Sequence, residues 1–174
     1  MSELSSSEAV PSQVYSMSTP VGTCMVISNG DAVIACGFTQ DANRLLALIH
    51  PSLRPRVLQD VVHRGIAELI VQYFDGDTTA IDSISVRQQS TQVRERGWRE
   101  LCRVRPGETI SYGELAQRMD VPRGARAAGQ VCARNAASLF VPCHRIVAAD
   151  GKLNHYAWGL SVKRWLLDFE MACS

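Results

Sequence analysis

The sequence predicts an α+β fold: a small N-terminal antiparallel sheet with helices, followed by a mainly helical C-terminal domain holding a helix-turn-helix of winged-helix-like type. Three observations predict it. Short apolar stretches broken by turn residues fill the chain from Tyr15 to Phe38, the pattern of a meander. Apolar residues then recur at intervals of three and four from Val57 to Phe74, the period of an amphipathic helix. Beyond Gln88 the chain turns helical, and two short helical stretches flank the break Asp120-Val121-Pro122-Arg123. The 174 residues suit one domain of ordinary size or two small ones. The division expected is a flexible tail at 1–12, an α+β domain at 13–87 and a second domain at 88–174.

Each element has a local reason. The Ser-rich start with Pro11 reads as the tail. Strands are expected at Tyr15 to Ser18, Cys24 to Ile27 and Ala32 to Phe38, because Asn29-Gly30 supplies the positive φ that a tight hairpin needs. Asp41 caps a short helix through Ile49. The periodic run Val57, Leu58, Val61, Val62, Ile66, Leu69, Ile70, Tyr73, Phe74 makes one helix closed by Gly76, and Ile81 to Val86 returns as a strand. A helix bearing Val93, Trp98 and Leu101 runs to about Arg103 and stops before Pro106-Gly107. Ser111-Tyr112-Gly113-Glu114 has the form of a capping box and opens a helix with Leu115, Ala116 and Met119 inward. Gly124 to Arg134 is the second helix of the pair. Helix pairs with short turns also arise in plain packing, so this spacing leaves open whether the pair reads DNA. The second helix is crowded with Gly124, Ala125, Ala127, Ala128 and Gly129. An interior glycine costs ~1 kcal/mol relative to alanine, which either close helix packing or approach to a groove would offset.

Composition narrows the class. With 46% hydrophobic and 20% charged residues, the chain is neither disordered nor collagen-like. No apolar run approaches the ~18 residues of a membrane span, and the opening residues lack the form of a signal peptide. A cytoplasmic protein is expected in a bacterium or archaeon, a nuclear one in a eukaryote. The net charge of +1 hides an asymmetry. Residues 1–90 carry five Arg and nine acids, net −4, whereas residues 91–174 carry eleven Arg and two Lys against eight acids, net +5. Ten of those Arg lie between Arg94 and Arg145, and their planar forks suit phosphates and base edges. A solvated charged surface has the same composition.

Six cysteines without a C-x-x-C pair indicate reduced thiols rather than a zinc ribbon or disulfide scaffold. Cys24, Cys36 and Cys102 read as inert core residues. Cys143 differs, because Pro142-Cys143-His144-Arg145 puts an imidazole and a guanidinium next to a thiol, and such neighbours favour thiolate. Adjacent side chains rarely face one another, so His144 would reach the sulfur through a water or after a backbone turn.

Pro142-Cys143-His144-Arg145, Gly107 to Ala116, Ala125-Arg126-Ala127-Ala128-Gly129, Arg134-Asn135, Tyr156 to Leu160, Lys163 to Leu167 and Glu170 together resemble the O6-alkylguanine-DNA alkyltransferases, also called methylated-DNA–protein-cysteine methyltransferases. These blocks cover residues 106–170 nearly without a gap; the N-terminal half, from Ser18-Thr19-Pro20-Val21-Gly22, matches more loosely. The resemblance implies an enzyme that moves an alkyl group from O6 of guanine in double-stranded DNA to Cys143. It needs no cofactor, and each molecule acts once and as a monomer. It implies that His144 and Glu170 activate Cys143 through a water and hydrogen bonds, that Asn135 braces its loop, and that Tyr112 donates to N3 of the departing base. Backbone groups of Cys143, Ile146 and Ala157 would read the other edges of the base. Because O6 is hidden in the stack, the base is flipped out. The helix with Ala125, Ala127 and Gly129 enters the minor groove, and Arg126 replaces the extruded nucleotide. Gly113 and Arg134 join Tyr112 on the DNA side. Cys132, Ile146, Leu153, Tyr156, Ala157 and Trp158 line the pocket.

Some positions depart from the family's pattern. Gln92 stands where many members have a buried aromatic, and Arg105-Pro106-Gly107 replaces Pro-Tyr-Gly. Cys132 serves as wall filler. Trp158 occupies a rim position that is often glycine, so a narrowed pocket is expected that rejects benzyl-sized groups, overpacking costing ~1 to 3 kcal/mol. Trp158→Gly would then restore them, whereas an indole lying flat against the core and only supporting the loop from Tyr156 to Leu160 predicts loss of stability and of methyl transfer together. Cys24, Cys36, His50 and His63 lack ligand spacing, so no metal is expected. Three other readings share parts of the pattern: a lesion binder without transfer, which retention of Cys143 disfavours; a helix-turn-helix regulator; and a cysteine hydrolase.

Overall fold

The computed structural model describes residues 11–174. Residues 1–10 of the expected tail lie outside the described residues, and Ser12 already opens a strand. Strands β1 (Ser12–Thr19), β2 (Gly22–Asn29) and β3 (Ala32–Gly37) form the expected antiparallel meander. Its connections are two residues each, and Gly22 and Gly30 take the positive φ values, +111° and +57°, that such turns require. Asp41 caps α1 (Ala42–Leu48), its carboxylate accepting from the Asn43 amide at 2.9 Å. The helix expected from Val57 begins only at Arg64. Leu58–Asp60 is instead an edge strand, β4, parallel to β1. His63 Nδ1 accepts from the Ile66 amide and so starts α2 (Arg64–Phe74) there. Val57, Val61 and Val62, apolar at helical spacing, are left exposed. The strand expected over Ile81 to Val86 is likewise shorter: Ala80–Ser83 is a 3-10 turn, and only β5 (Ser85–Val86) pairs, parallel to β3.

The five-stranded sheet runs β4-β1-β2-β3-β5, and both of its faces are covered. Met25, Ile27, Ile34 and Ala35 pack with Leu45 and Ile49 on one side. On the other, Tyr15, Cys24, Val26 and Cys36 share a core with α2 and with Leu101, Leu115, Leu139 and Leu166 from the second half of the chain. This two-sided burial explains why all six positions of β3 are buried, the signature of a covered strand rather than an alternating one.

The second half contains α3 (Gln92–Leu101), β6 (Ile110–Ser111), α4 (Tyr112–Arg118), α5 (Ala125–Ala133), β7 (Ile146–Val147) and α6 (Leu160–Cys173), with β6 and β7 paired in parallel. The capping box forms: Glu114 N donates to Ser111 Oγ at 3.1 Å, and Ser111 N donates to Glu114 Oε2 at 2.7 Å. Helices α4 and α5 are the expected pair. Arg96 secures their turn by donating to Met119 O and Asp120 Oδ2. Residues 136–138 are sewn to β3 beyond its pairing with β5, with Cys36 N donating to Ala136 O at 2.8 Å and Ser138 N to Cys36 O at 3.1 Å. The loop leading to Cys143 therefore starts from a rigid sheet. Among the described residues, no helix is long and apolar enough to cross a membrane.

Candidate active site

Cys143–Arg145 is a single 3-10 turn between Pro142 and β7. Such a turn spreads three consecutive side chains into different surroundings. Cys143 is 6% exposed, and its sulfur lies 3.2 Å from Asn135 Nδ2, which also donates to Val141 O at 2.7 Å. The Asn135 amide is itself fixed, since its Oδ1 accepts from Gln88 Nε2 at 2.9 Å and from Ala137 N at 3.1 Å. Gln88 completes the clamp by accepting from Ala136 N. Burial pushes the Cys143 thiol up, while Asn135, the Lys163 ammonium and Ser138 pull it down against that trend. The ammonium of Lys163, buried at 1% exposure, donates to Asn154 O at 3.0 Å and holds the loop opposite Cys143.

His144 and Arg145 turn away from the sulfur toward Glu170 on α6. His144 Nε2 lies 2.9 Å from Glu170 Oε1, and Arg145 grips both carboxylate oxygens, Nε to Oε2 at 2.9 Å and Nη2 to Oε1 at 2.8 Å. Arg145 also donates to Val104 O. Its guanidinium thus neutralises Glu170 and does not reach the thiol as its sequence position suggested. Burial alone would raise Glu170, but the hydrogen bonds from His144 and Arg145 outweigh it and hold the carboxyl well below the usual range. Burial lowers His144 despite the opposing pull of Glu170, so the imidazole is neutral at neutral pH. An ionised carboxylate only accepts; the proton of the neutral ring is therefore on Nε2. Nδ1 is left as a buried acceptor with no partner among the described residues.

Cys143 opens into a cavity of about 1110 Å³, ample for a nucleobase. Of the expected pocket and DNA-side residues, Tyr112, Ala125, Gly129, Cys132, Leu153, Tyr156 and Ala157 line it. Burial, followed by the nearby Cys132 and Cys143, pushes the Tyr112 phenol up to about 12, which keeps it a donor. A Cβ built on Gly129 would meet nothing within 4 Å. Its missing side chain therefore faces open space, and close helix packing falls instead to Gly97, where a Cβ would overlap Val131. Arg126, Arg134 and Gly113 are exposed and Ala127 is half-buried; none of the four lines the cavity.

Two expected wall residues are elsewhere. Ile146 is fully buried and pairs with Ile110 between β6 and β7, because its side chain completes the core beneath the site. Trp158 points away from the cavity and onto the sheet. Its Nε1 donates to Ser138 Oγ at 2.7 Å, the Arg44 guanidinium stacks 4.9 Å above the ring, and a Cβ on Gly37 would overlap it. A buried indole needs a partner for its N–H, and Ser138, which lines the cavity, supplies one from behind its wall. Arg44 also donates to Ala157 O at 3.0 Å. Cys102 is exposed rather than core, since it ends α3 at the surface. Cys24 and Cys36 are buried with sulfurs 3.6 Å apart. His63 caps α2, and His50 bonds to Ser52.

Sequence reasoning missed Gln88, Ser138, Lys163 and Tyr73. The Tyr73 hydroxyl donates to Glu170 Oε1 at 2.7 Å. Lys163 carried a signal in its charge, three residues before the apolar pair Leu166 and Leu167 on the buried face of α6; contacts across 47 and 97 positions carried none.

Residues 92–172 match the family model of the 6-O-methylguanine DNA methyltransferase DNA-binding domain. A methylated-DNA–protein-cysteine methyltransferase of Haemophilus influenzae is 31% identical over 152 residues, 87% of this chain and 82% of the relative. The chain belongs to the methylated-DNA–protein-cysteine methyltransferase family. Another member, from Methanosarcina mazei, is 38% identical over 107 residues, 62% of this chain and 67% of its own. In the fold, the Mycobacterium tuberculosis O6-methylguanine methyltransferase superposes with a TM-score of 0.76 at 26% identity, covering 94% of both chains. The same organism's protein in complex with DNA gives a TM-score of 0.79 at 26% identity, covering 93% of this chain and 94% of its own. The methyltransferase family model spans Cys143, Asn135, His144 and Glu170 but begins after Tyr73 and Gln88.

Proposed function

We propose that the chain repairs double-stranded DNA by flipping out O6-alkylguanine, chiefly O6-methylguanine, and moving the alkyl group irreversibly to Cys143. The observation that carries this reading is a buried thiol at the cavity wall, held by Asn135 and followed in the same turn by a neutral imidazole bound to Glu170. His144 Nδ1 takes the thiol proton through a bridging water. The Cys143 sulfur attacks the alkyl carbon in line; an S–C bond forms, the C–O6 bond breaks and its electron pair passes to guanine. The Tyr112 hydroxyl donates to N3 and relieves that charge. A thioether has no good leaving group, so the protein acts once. The reading needs neither a cofactor nor a second copy of the chain.

Helices α4 and α5 form the DNA-facing helix-turn-helix. The small residues Ala125, Ala127 and Gly129 bring α5 close to the minor groove, Gly113 and Arg134 flank the contact, and Arg126 fills the gap in the stack. The exposure of Arg126 beside the cavity residue Ala125 supports that role. Arg126→Ala is expected to slow repair of duplex DNA by about tenfold to a hundredfold, since unstacking costs a few kcal/mol. Reaction with free O6-alkylguanine base should be nearly unchanged. Equal losses on both substrates would assign Arg126 to the pocket or the fold. With excess lesion, transfer should plateau at one alkyl group per chain; turnover beyond that plateau contradicts the single-use reading.

A further inference from the structure

Glu170 Oε1 accepts three hydrogen bonds, from Tyr73 Oη at 2.7 Å, Arg145 Nη2 at 2.8 Å and His144 Nε2 at 2.9 Å, whereas Oε2 accepts from Arg145 Nε. Arg145 fixes the plane of the carboxylate. Tyr73 is the neutral donor on the shared oxygen, and it reaches there from α2, with its ring fully buried and packed edge-on against Phe74 and beside Phe169. Building on the alkyl-transfer reading above, we propose that Tyr73 is a positioning residue for that reaction: by donating to the oxygen that also serves His144, its hydroxyl sets how readily the imidazole takes the proton of Cys143. Tyr73 touches neither the thiol nor the cavity.

The physical basis is competition for one oxygen. Each donor withdraws charge from Oε1, and a carboxylate relieved of charge supports an imidazolium less well. Burial first and then the neighbouring carboxylate keep the Tyr73 phenol protonated far above its ordinary range, so it donates at every pH at which the protein is folded. The other charged and titratable groups facing Tyr73, Glu170 and His144 are Arg145 and Cys143 on the same turn, Lys163 and Cys173 on α6, Tyr156 against the imidazole ring and Asp82 from the 3-10 turn. All of them remain when one hydroxyl is removed.

Tyr73→Phe is expected to raise the proton affinity of His144. The acid limb of the rate–pH profile for alkyl transfer and the ring titration of His144 followed by ¹⁵N NMR should both move up by about one pH unit, the scale of one hydrogen bond to a charged group. Difluorotyrosine at position 73 alone keeps the ring and makes the phenol a stronger donor, so both readouts should move down; this second variant decides the matter if Tyr73→Phe is too unstable to assay. Tyr15→Phe is the control, because it removes a buried phenol hydroxyl that has no partner among the described residues; both readouts should stay in place. Profiles that coincide with wild type in the Tyr73 variants, or that move equally in Tyr15→Phe, overturn the proposal. A wild-type chain that gains no alkyl group overturns the reading of function itself, and that result is read from the wild type alone.

Discussion

Glu170→Ala should lower the thermal midpoint by roughly 6–20 °C, because removing one partner of a buried ion pair costs about 3–5 kcal/mol, and each kcal/mol moves a chain of this size by ~2–4 °C. Among the described residues, the substitution leaves the buried Arg145 guanidinium with Val104 O alone to accept from it, and it strands His144 Nε2–H and Tyr73 O–H in the core. Acid should act on the wild type through the same groups. Glu170 is held below its unfolded value, so its contribution is complete above the ordinary carboxylate range, near 4.3, and is lost as pH falls through the folded value. His144 is also lowered, so its contribution is complete above ~6.5 and fades below that. Below about pH 4.3 the thermal midpoint of the wild type should therefore fall faster with pH than that of Glu170→Ala, which has no carboxylate there to protonate. Parallel curves would remove Glu170 as the main acid-sensitive group.

Trp158→Gly should destabilise the protein by about 3–5 kcal/mol, the usual loss for deleting a buried aromatic. The indole fills the space over Gly37, stacks beneath Arg44 and satisfies Ser138. Of the two readings of this tryptophan, these contacts favour the one in which the indole lies against the core. A residue that faces the sheet cannot exclude a bulky group from the cavity, so methyl and benzyl transfer should fall together with their ratio unchanged. Denaturant unfolding and paired rates test this; a selective gain with benzyl substrates would put Trp158 back at the rim.

What the sequence revealed was whatever has a local cause. The Asn29-Gly30 hairpin, the Asp41 cap, the Ser111–Glu114 capping box and the two helices around Asp120–Gly124 are each set by neighbours within a few positions, and each forms. Val57 to Val62 misled because their spacing fits a helix while their backbone completes the edge of the sheet at β4. The reactive turn was legible through Pro142-Cys143-His144-Arg145, but its orientation was not. Which way Arg145 and Trp158 face depends on Glu170 and on Gly37, far along the chain. Tyr73 and Gln88 entered the site by the same long-range route: they read as ordinary helix and linker residues, and only the packing of α2 and of residues 136–138 on the sheet brings them to Glu170 and Asn135.

The most direct measurement is the intact mass of the protein after mixing with duplex DNA that carries one O6-methylguanine, followed by peptide mapping. The expected result is a gain of one methylene mass per chain, S–H having become S–CH3, located on Cys143 and absent from Cys143→Ala. No gain, or a gain that maps to Cys132 or any other residue, would contradict the assignment of Cys143 as the alkyl acceptor.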